Sequence, residues 1–294
     1  MCLSKEGEAV MGILDGKKCS EEILEKIKIE IDKMVKSGKR APGLAVVIVG
    51  ENPASKVYVN SKIKACNKVG ICNKEISLPE DVTQEELLQN IQKLNEDENI
   101  DGILVQLPLP KHLDEEEVCN AIREDKDVDG FKPENLGKVV LGKEDGMIPC
   151  TPQGIMYLLD TIKDFELYGA NAVVIGRSNI VGKPISSLLI NRGATTTICN
   201  SKTKNIDEIL KKADIIIAAL GQPKFLKENM VKENAIIIDV GINRVDGKLC
   251  GDVDFENVSK KASHITPVPG GVGPMTIAML LTNTLKAYKK GGEE

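Results

Sequence analysis

VVIGRSNIVGKP, Val173 to Pro184, joins an apolar run to a glycine-flanked turn and the expected start of a helix. NAVVI, residues 171–175, reads as a buried parallel strand, and Gly176 permits a sharp exit from it. Gly182 with Pro184 fits the opening of a helix whose free N–H groups face an anion, which is phosphate-binding architecture. The glycine spacing departs from G-x-G-x-x-G: Ser178 and Val181 stand at the second and third glycine positions, with Gly182 one residue late. The corner alone is weak, and the next strand has to supply the discrimination.

ATTTIC, Ala194 to Cys199, is β-branched and leads into Asn200-Ser201-Lys202-Thr203. An NAD-specific fold places an acid for the ribose 2′-hydroxyl about 20 residues beyond the turn. No acid stands there. A polar, basic segment opposite Arg177 suits a 2′-phosphate, since arginine gives forked charge-assisted bonds and Ser201 adds a neutral donor. NADP is therefore favoured over NAD; the other reading of Arg177 and Lys202 is of ordinary solvated loop charges.

With 294 residues, 41% hydrophobic and 28% charged, the chain can bury a substantial core and is expected to form two domains. The net charge of −5, without a cluster of Lys and Arg interleaved with aromatics, gives nucleic acid no electrostatic footprint. The eight cysteines are scattered without a C-x-x-C pair, and the two histidines, His112 and His264, lack metal-like or triad-like companions. Reduced thiols, no metal site and no histidine-based hydrolysis are the expectation. No apolar run approaches the roughly 18 residues that a membrane span needs, and MCLSKEGEAV lacks the plan of a signal peptide. A cytoplasmic protein is expected, with the better-patterned sequence starting at Met11 and the first ten residues adding little to the fold.

Strand-like and helical runs alternate in two series, as parallel βαβ units require. The first holds GLAVVIVG (43–50), a helix over about 55–69, KEISLP, a helix over about 83–95 and DGILVQLPLP (101–110). The second holds NAVVIG, TTTIC, DIIIAAL (214–220) and AIIIDVG (235–241). The fold class is α/β with two domains. An N-terminal parallel-sheet catalytic domain takes residues 11–150 plus 276–294, and a C-terminal Rossmann-like domain takes 151–275. A helix is expected from Pro152 with Thr151 as its cap, and the apolar face of TIAMLLTNTLKAYKK (276–290) sends the last helix back onto the first domain.

Ligands of open parallel sheets sit beyond the carboxyl ends of the strands, which brings Gln106, directly after ILV, into view. Tyr58 and Lys62 stand four apart in an expected helix and share a face. A desolvated lysine there could move protons at neutral pH; an exposed lysine beside a half-buried tyrosine is the alternative. Asp129, before a glycine in KDVDGF (126–131), is as well suited to building the turn as to holding a ligand. TPVPGGVGPMT (266–276) is expected to stay irregular, bringing backbone close to a ligand or turning the chain between domains.

Taken together, Tyr58-x-x-x-Lys62, VQLPLP (105–110), KDVDGF, PCTPQG (149–154), GRSNIVGKP (176–184), DVGIN (239–243) and TPVPGGVGPMT closely resemble the bifunctional methylenetetrahydrofolate dehydrogenase/methenyltetrahydrofolate cyclohydrolases, the FolD type. The resemblance covers nearly everything after Met11. One departure is Asn200, where many members have His before the serine.

The resemblance implies oxidation of 5,10-methylenetetrahydrofolate by NADP+ and hydration of the methenyl product to 10-formyltetrahydrofolate in one cleft between the domains. It makes Lys62 the acid/base group of the second step and Gln106 its hydrogen-bonding partner. Tyr58 would stack on the folate, Asp129 would bond its amino-pyrimidine edge, and Gly273 and Pro274 would line the folate side. Gly176, Arg177, Ser178, Ser201 and Ile242 would hold NADP. A homodimer with no metal, nucleic-acid or membrane partner is also implied. Short-chain dehydrogenases carry Tyr-x-x-x-Lys too, but after their nucleotide fold, whereas Lys62 precedes Gly176 by more than a hundred residues. A dehydrogenase with little cyclohydrolase activity and a non-catalytic nucleotide-binding module remain as alternatives.

Overall fold

The computed structural model describes residues 11–292, so Cys2 and the expectation for the first ten residues fall outside it. The chain divides into two compact units. One comprises Lys17–Tyr157 with the segment from Pro274 onward; the other comprises the segment ending at Gly16 with Leu158–Gly273.

The first unit is built on a three-stranded parallel sheet in the order Cys72–Leu78, Gly43–Val49, Gly102–Val105. All seven residues of the central strand are buried, which is why it reads as an unbroken apolar run rather than an alternating one. The helix Gln84–Glu96 shows how locally these elements are encoded. Thr83 accepts from Glu86 N at 3.2 Å, and Leu87, Ile91 and Leu94, spaced along one face, are all buried.

The C-terminal helix runs Val272–Gly291 and belongs, from Pro274 on, to this unit. Buried Asn283 fixes it there, donating to Val128 O at 2.8 Å and Ile148 O at 2.9 Å. The packing of the last helix onto the first unit is thus as expected. Its start is not: TPVPGGVGPMT was expected to stay irregular, yet the helix opens at Val272 with Pro274 in its first turn. No i−4 carbonyl partner is needed there, so proline is tolerated.

The second unit holds a six-stranded, wholly parallel sheet in the order Gly12–Ile13, His264–Ile265, Ile236–Asp239, Ile215–Ala218, Asn171–Ile175, Thr195–Cys199. Two boundaries differ from the expected 11–150 and 151–275. Gly12–Ile13 pairs with His264–Ile265, so the segment before Gly16 goes with the second unit. The helix Cys150–Asp160 stays with the first unit as far as Tyr157, and Thr151 lies within it instead of capping it, its Oγ1 2.9 Å from Thr276 Oγ1.

An antiparallel hairpin, Asn243–Val245 with Lys248–Cys250, escaped the sequence reading. Its signal was the Asp246-Gly247 pair, whose φ values of 50° and 77° suit the two-residue turn that such a dipeptide favours.

Candidate active site

Each unit carries part of the residue set, and each part is described in its own unit. In the first, the helix Pro53–Val69 is started by Asn52, whose side chain accepts from Ala54 N at 2.9 Å and Ser55 N at 3.2 Å. Tyr58, exposed, and Lys62, half-buried, follow one turn apart on this helix. Gln106 is the first residue past the strand Gly102–Val105, and its N–H still donates to Val47 O at 2.8 Å. Lys62 Nζ donates to Gln106 Oε1 at 3.0 Å. Gln106 Nε2 donates to Leu107 O at 2.7 Å, which fixes which end of the amide faces the lysine.

KDVDGF resolves into two carboxylates with separate duties. Asp127 is buried and accepts from the N–H groups of Gly130 (3.1 Å), Phe131 (3.2 Å) and Lys132 (2.9 Å) and from Asn135 Nδ2 (2.9 Å). It builds the turn. Asp129 is left with one long contact, from Cys150 Sγ at 3.8 Å to its Oδ1. Burial pushes the Asp129 carboxyl up to about 6, while the positive charge of Lys62 pulls the other way. The structure therefore brings Lys62 and Gln106 into contact and Asp129 within their electrostatic reach. It also reveals Asp127, which sequence reading passed over for its neighbour.

In the second unit, the corner after Asn171–Ile175 is closed by two glycines packed against backbone. Gly176 has φ +132°, and a Cβ there would lie 2.3 Å from Ala219 O; a Cβ on Gly182 would lie 2.3 Å from Gly176 O. Only glycine fits at either position, because neighbouring backbone already fills the space a side chain would take. The N–H groups opening the helix Gly182–Asn191 do not stand free, however. Val181 and Gly182 donate to Ser178 Oγ at 3.2 and 3.3 Å, and Lys183 donates to Ser178 O at 3.0 Å. Pro184 has no N–H to offer. The expectation of an anion on open helix amides is corrected: Ser178 folds back as their acceptor, a local bond that serine makes readily at helix starts.

Past Thr195–Cys199, Asn200 holds a tight turn, with Asn200 N donating to Thr203 Oγ1 and Lys202 N donating to Asn200 Oδ1, both at 2.9 Å. The turn leaves Ser201 and Lys202 exposed, as Arg177 is. Donors and cations without an acid suit a 2′-phosphate better than a 2′-hydroxyl. Ile242 is exposed after the strand Ile236–Asp239, and a Cβ on Gly273 would meet its Cδ1 at 3.9 Å. Pro274 lies in the first turn of the last helix.

Two family models cover most of the chain. Residues 14–129 match the catalytic domain of tetrahydrofolate dehydrogenase/cyclohydrolase, and residues 149–291 match the NAD(P)-binding domain of the same family. The chain belongs to the tetrahydrofolate dehydrogenase/cyclohydrolase family. A bifunctional FolD protein of a Sulfurihydrogenibium species is 57% identical over 281 residues, covering 95% of this chain and 98% of the relative. The crystal structure of the FolD methylenetetrahydrofolate dehydrogenase/cyclohydrolase of Campylobacter jejuni superposes with a TM-score of 0.93 at 51% identity, covering 96% of this chain and 99% of that one. The Trypanosoma brucei FolD structure, complexed with NADP cofactor and an inhibitor, gives a TM-score of 0.92 at 37% identity, with 97% and 99% covered. For this family member, VQLPLP, GRSNIVGKP and DVGIN fall at strand ends and PCTPQG at a helix start, while Tyr58 and Lys62 lie within the helix Pro53–Val69.

Proposed function

We propose that this protein oxidises 5,10-methylenetetrahydrofolate with NADP+ and hydrolyses the resulting methenyl compound to 10-formyltetrahydrofolate. The observation that carries this reading is the 3.0 Å bond from Lys62 Nζ to Gln106 Oε1, at the carboxyl end of a parallel strand and within reach of Asp129. NADP+ supplies the hydride acceptor when bound.

For the oxidation the chain contributes alignment. Tyr58 offers a ring face to the folate, Asp129 accepts N–H bonds from its amino-pyrimidine edge, and Gly273 and Pro274 border it. For the hydration, water adds to the methenyl carbon and gives one proton to solvent. Lys62 Nζ donates a proton to the ring nitrogen as that nitrogen's bond to the carbon breaks, and takes up the second proton of the water in its place. Gln106 Oε1 holds Nζ in line through both transfers. Arg177 and Ser201 would hold the 2′-phosphate, Gly176 would lie beside the pyrophosphate and Ile242 against the dinucleotide, while Ser178 secures the corner.

The direct test supplies methylenetetrahydrofolate with NADP+ or NAD+ and follows reduced cofactor and methenyl hydrolysis separately. Both reactions, with NADP+ preferred, are expected; absence of either overturns the bifunctional reading.

Asp129 yields a second expectation. Its carboxyl lies above the usual 3.8, at about 6, so folding takes up a proton between those values and stability declines as pH rises through that window. Asp129→Asn removes that penalty, on the order of 1–3 kcal/mol, so at pH 7.5 its melting temperature is expected to rise by several degrees. The KM for methylenetetrahydrofolate rises in the same variant. A lower melting temperature with unchanged KM removes Asp129 from the folate site.

The same reading has the enzyme working in the cytoplasm as a homodimer, without nucleic acid or membrane. No disulfide joins two of the described cysteines, and no described helix is long and apolar enough to cross a membrane. Sedimentation of the purified chain at twice the monomer mass of 31.9 kDa is the expected result.

A further inference from the structure

Two carboxylates in the nucleotide-binding unit are buried without an ion pair among the described residues: Asp239, 3% exposed, and Asp252, fully enclosed. Neither has a part in the function proposed above. A buried carboxylate is tolerated only when N–H donors replace its water, and here they do. Asp239 Oδ1 accepts from Gly241 N at 3.0 Å and Asp252 N at 2.9 Å, while Oδ2 accepts from Val253 N at 3.0 Å. Asp252 Oδ2 accepts from Leu220 N at 2.6 Å and Gly221 N at 2.9 Å, and its Oδ1 accepts from Asn243 Nδ2 at 2.9 Å.

The pair spans two loops. Leu220 and Gly221 follow the strand Ile215–Ala218, whereas Gly241 to Asn243 follow the adjacent strand Ile236–Asp239. These are the carboxyl ends of neighbouring parallel strands, where an open sheet receives its ligand. Ile242 lies between two residues tied to the pair and is 47% exposed. The ties leave no slack: a Cβ on Gly241 would lie 2.2 Å from Asp252 Oδ1, and one on Gly251 would lie 1.8 Å from Asp239 Oδ2.

We propose that Asp252, seated on Asp239, is a positioning residue for the dinucleotide, holding the 220–221 and 241–243 loops in register so that Ile242 is presented to it. This rests on the NADP-binding reading above. The test is a reciprocal swap in the full chain: Asp252→Asn, Asn243→Asp and the double variant. Asp252→Asn sets one amide N–H group against another, and Asn243→Asp sets two carboxylates face to face. In the double variant Asn at 252 donates to Asp at 243 and keeps its carbonyl oxygen for Leu220 N and Gly221 N.

NADP+ affinity is read by titration calorimetry, and the cyclohydrolase reaction, which consumes no NADP+, reports on the fold. Each single variant is expected to weaken NADP+ binding about tenfold, with the double variant back within about twofold of the parent. Cyclohydrolase KM and turnover move far less than the NADP+ affinity. Singles that bind NADP+ like the parent overturn the proposal. So does a parallel loss of NADP+ affinity and cyclohydrolase turnover that the double variant does not recover. Should Asp252→Asn fail to fold, Asn243→Asp, at a partly exposed position, and its rescue by the second change decide the matter. A parent chain that does not bind NADP+ overturns the function itself, an outcome distinct from variants that bind normally.

Discussion

Lys62→Met is expected to abolish most cyclohydrolase turnover while hydride transfer and NADP+ binding persist. Methionine keeps the unbranched apolar length of lysine but offers Gln106 Oε1 no donor and carries no proton, so the 3.0 Å contact and the proton relay disappear together. General acid–base groups contribute typically about 10²- to 10⁴-fold, which separates this loss from a positioning defect. One secondary effect has to be kept apart. The charge of Lys62 holds down an Asp129 carboxyl that burial has raised to about 6, so its removal shifts that group further upward. Measured at pH 8 instead of pH 6, folate binding keeps an ionised Asp129 and the comparison isolates the proton transfer. Near-normal methenyl hydrolysis, corrected for the spontaneous reaction, would return Tyr58 and Lys62 to being an ordinary helix-surface pair.

Arg177→Ala is expected to raise the KM for NADP+ roughly ten- to a hundredfold and to leave that for NAD+ nearly unchanged. A hydrogen bond to a charged group contributes about 1.5–3 kcal/mol, and the 2′-phosphate is the only charge by which the two dinucleotides differ. Arg177 is exposed beside the glycine corner, and residues 200–204 contain no acid to bind a 2′-hydroxyl in its place. The helix amides are occupied by Ser178, so they offer the phosphate little compensation. Equal effects on both cofactors would take Arg177 off the 2′-phosphate and leave Ser201 and Lys202 to account for any preference.

Neighbouring residues of one motif were legible to different degrees. Lys62 was legible because four residues of helix put it on the face of Tyr58, and Gln106 because it ends an apolar strand; the bond between them then follows from helix and strand in one unit. Asp127 and Asp129 were not separable, being the same residue type two apart around one turn. Burial and four donors assign the turn to Asp127 and leave Asp129 with a single long contact. Asp252 carried no signal at all, since an acid in GDVD reads as surface until the N–H groups of Leu220 and Gly221 are seen to point at it.

The sequence by itself determined what period and propensity can encode: buried β-branched strands, amphipathic helices with their caps, the glycine corner and the missing acid after the second nucleotide-binding strand. Pairings across long stretches of chain were decided only by the tertiary structure. Gly12–Ile13 is too short to be a strand in isolation and becomes one because His264–Ile265 supplies the partner backbone. Pro274 enters a helix because it stands in the first turn, where no i−4 carbonyl partner is needed, and because buried Asn283 further along ties that helix to Val128 and Ile148. Backbone hydrogen bonds and burial of this kind depend on residues hundreds of positions apart, and no local pattern contains them.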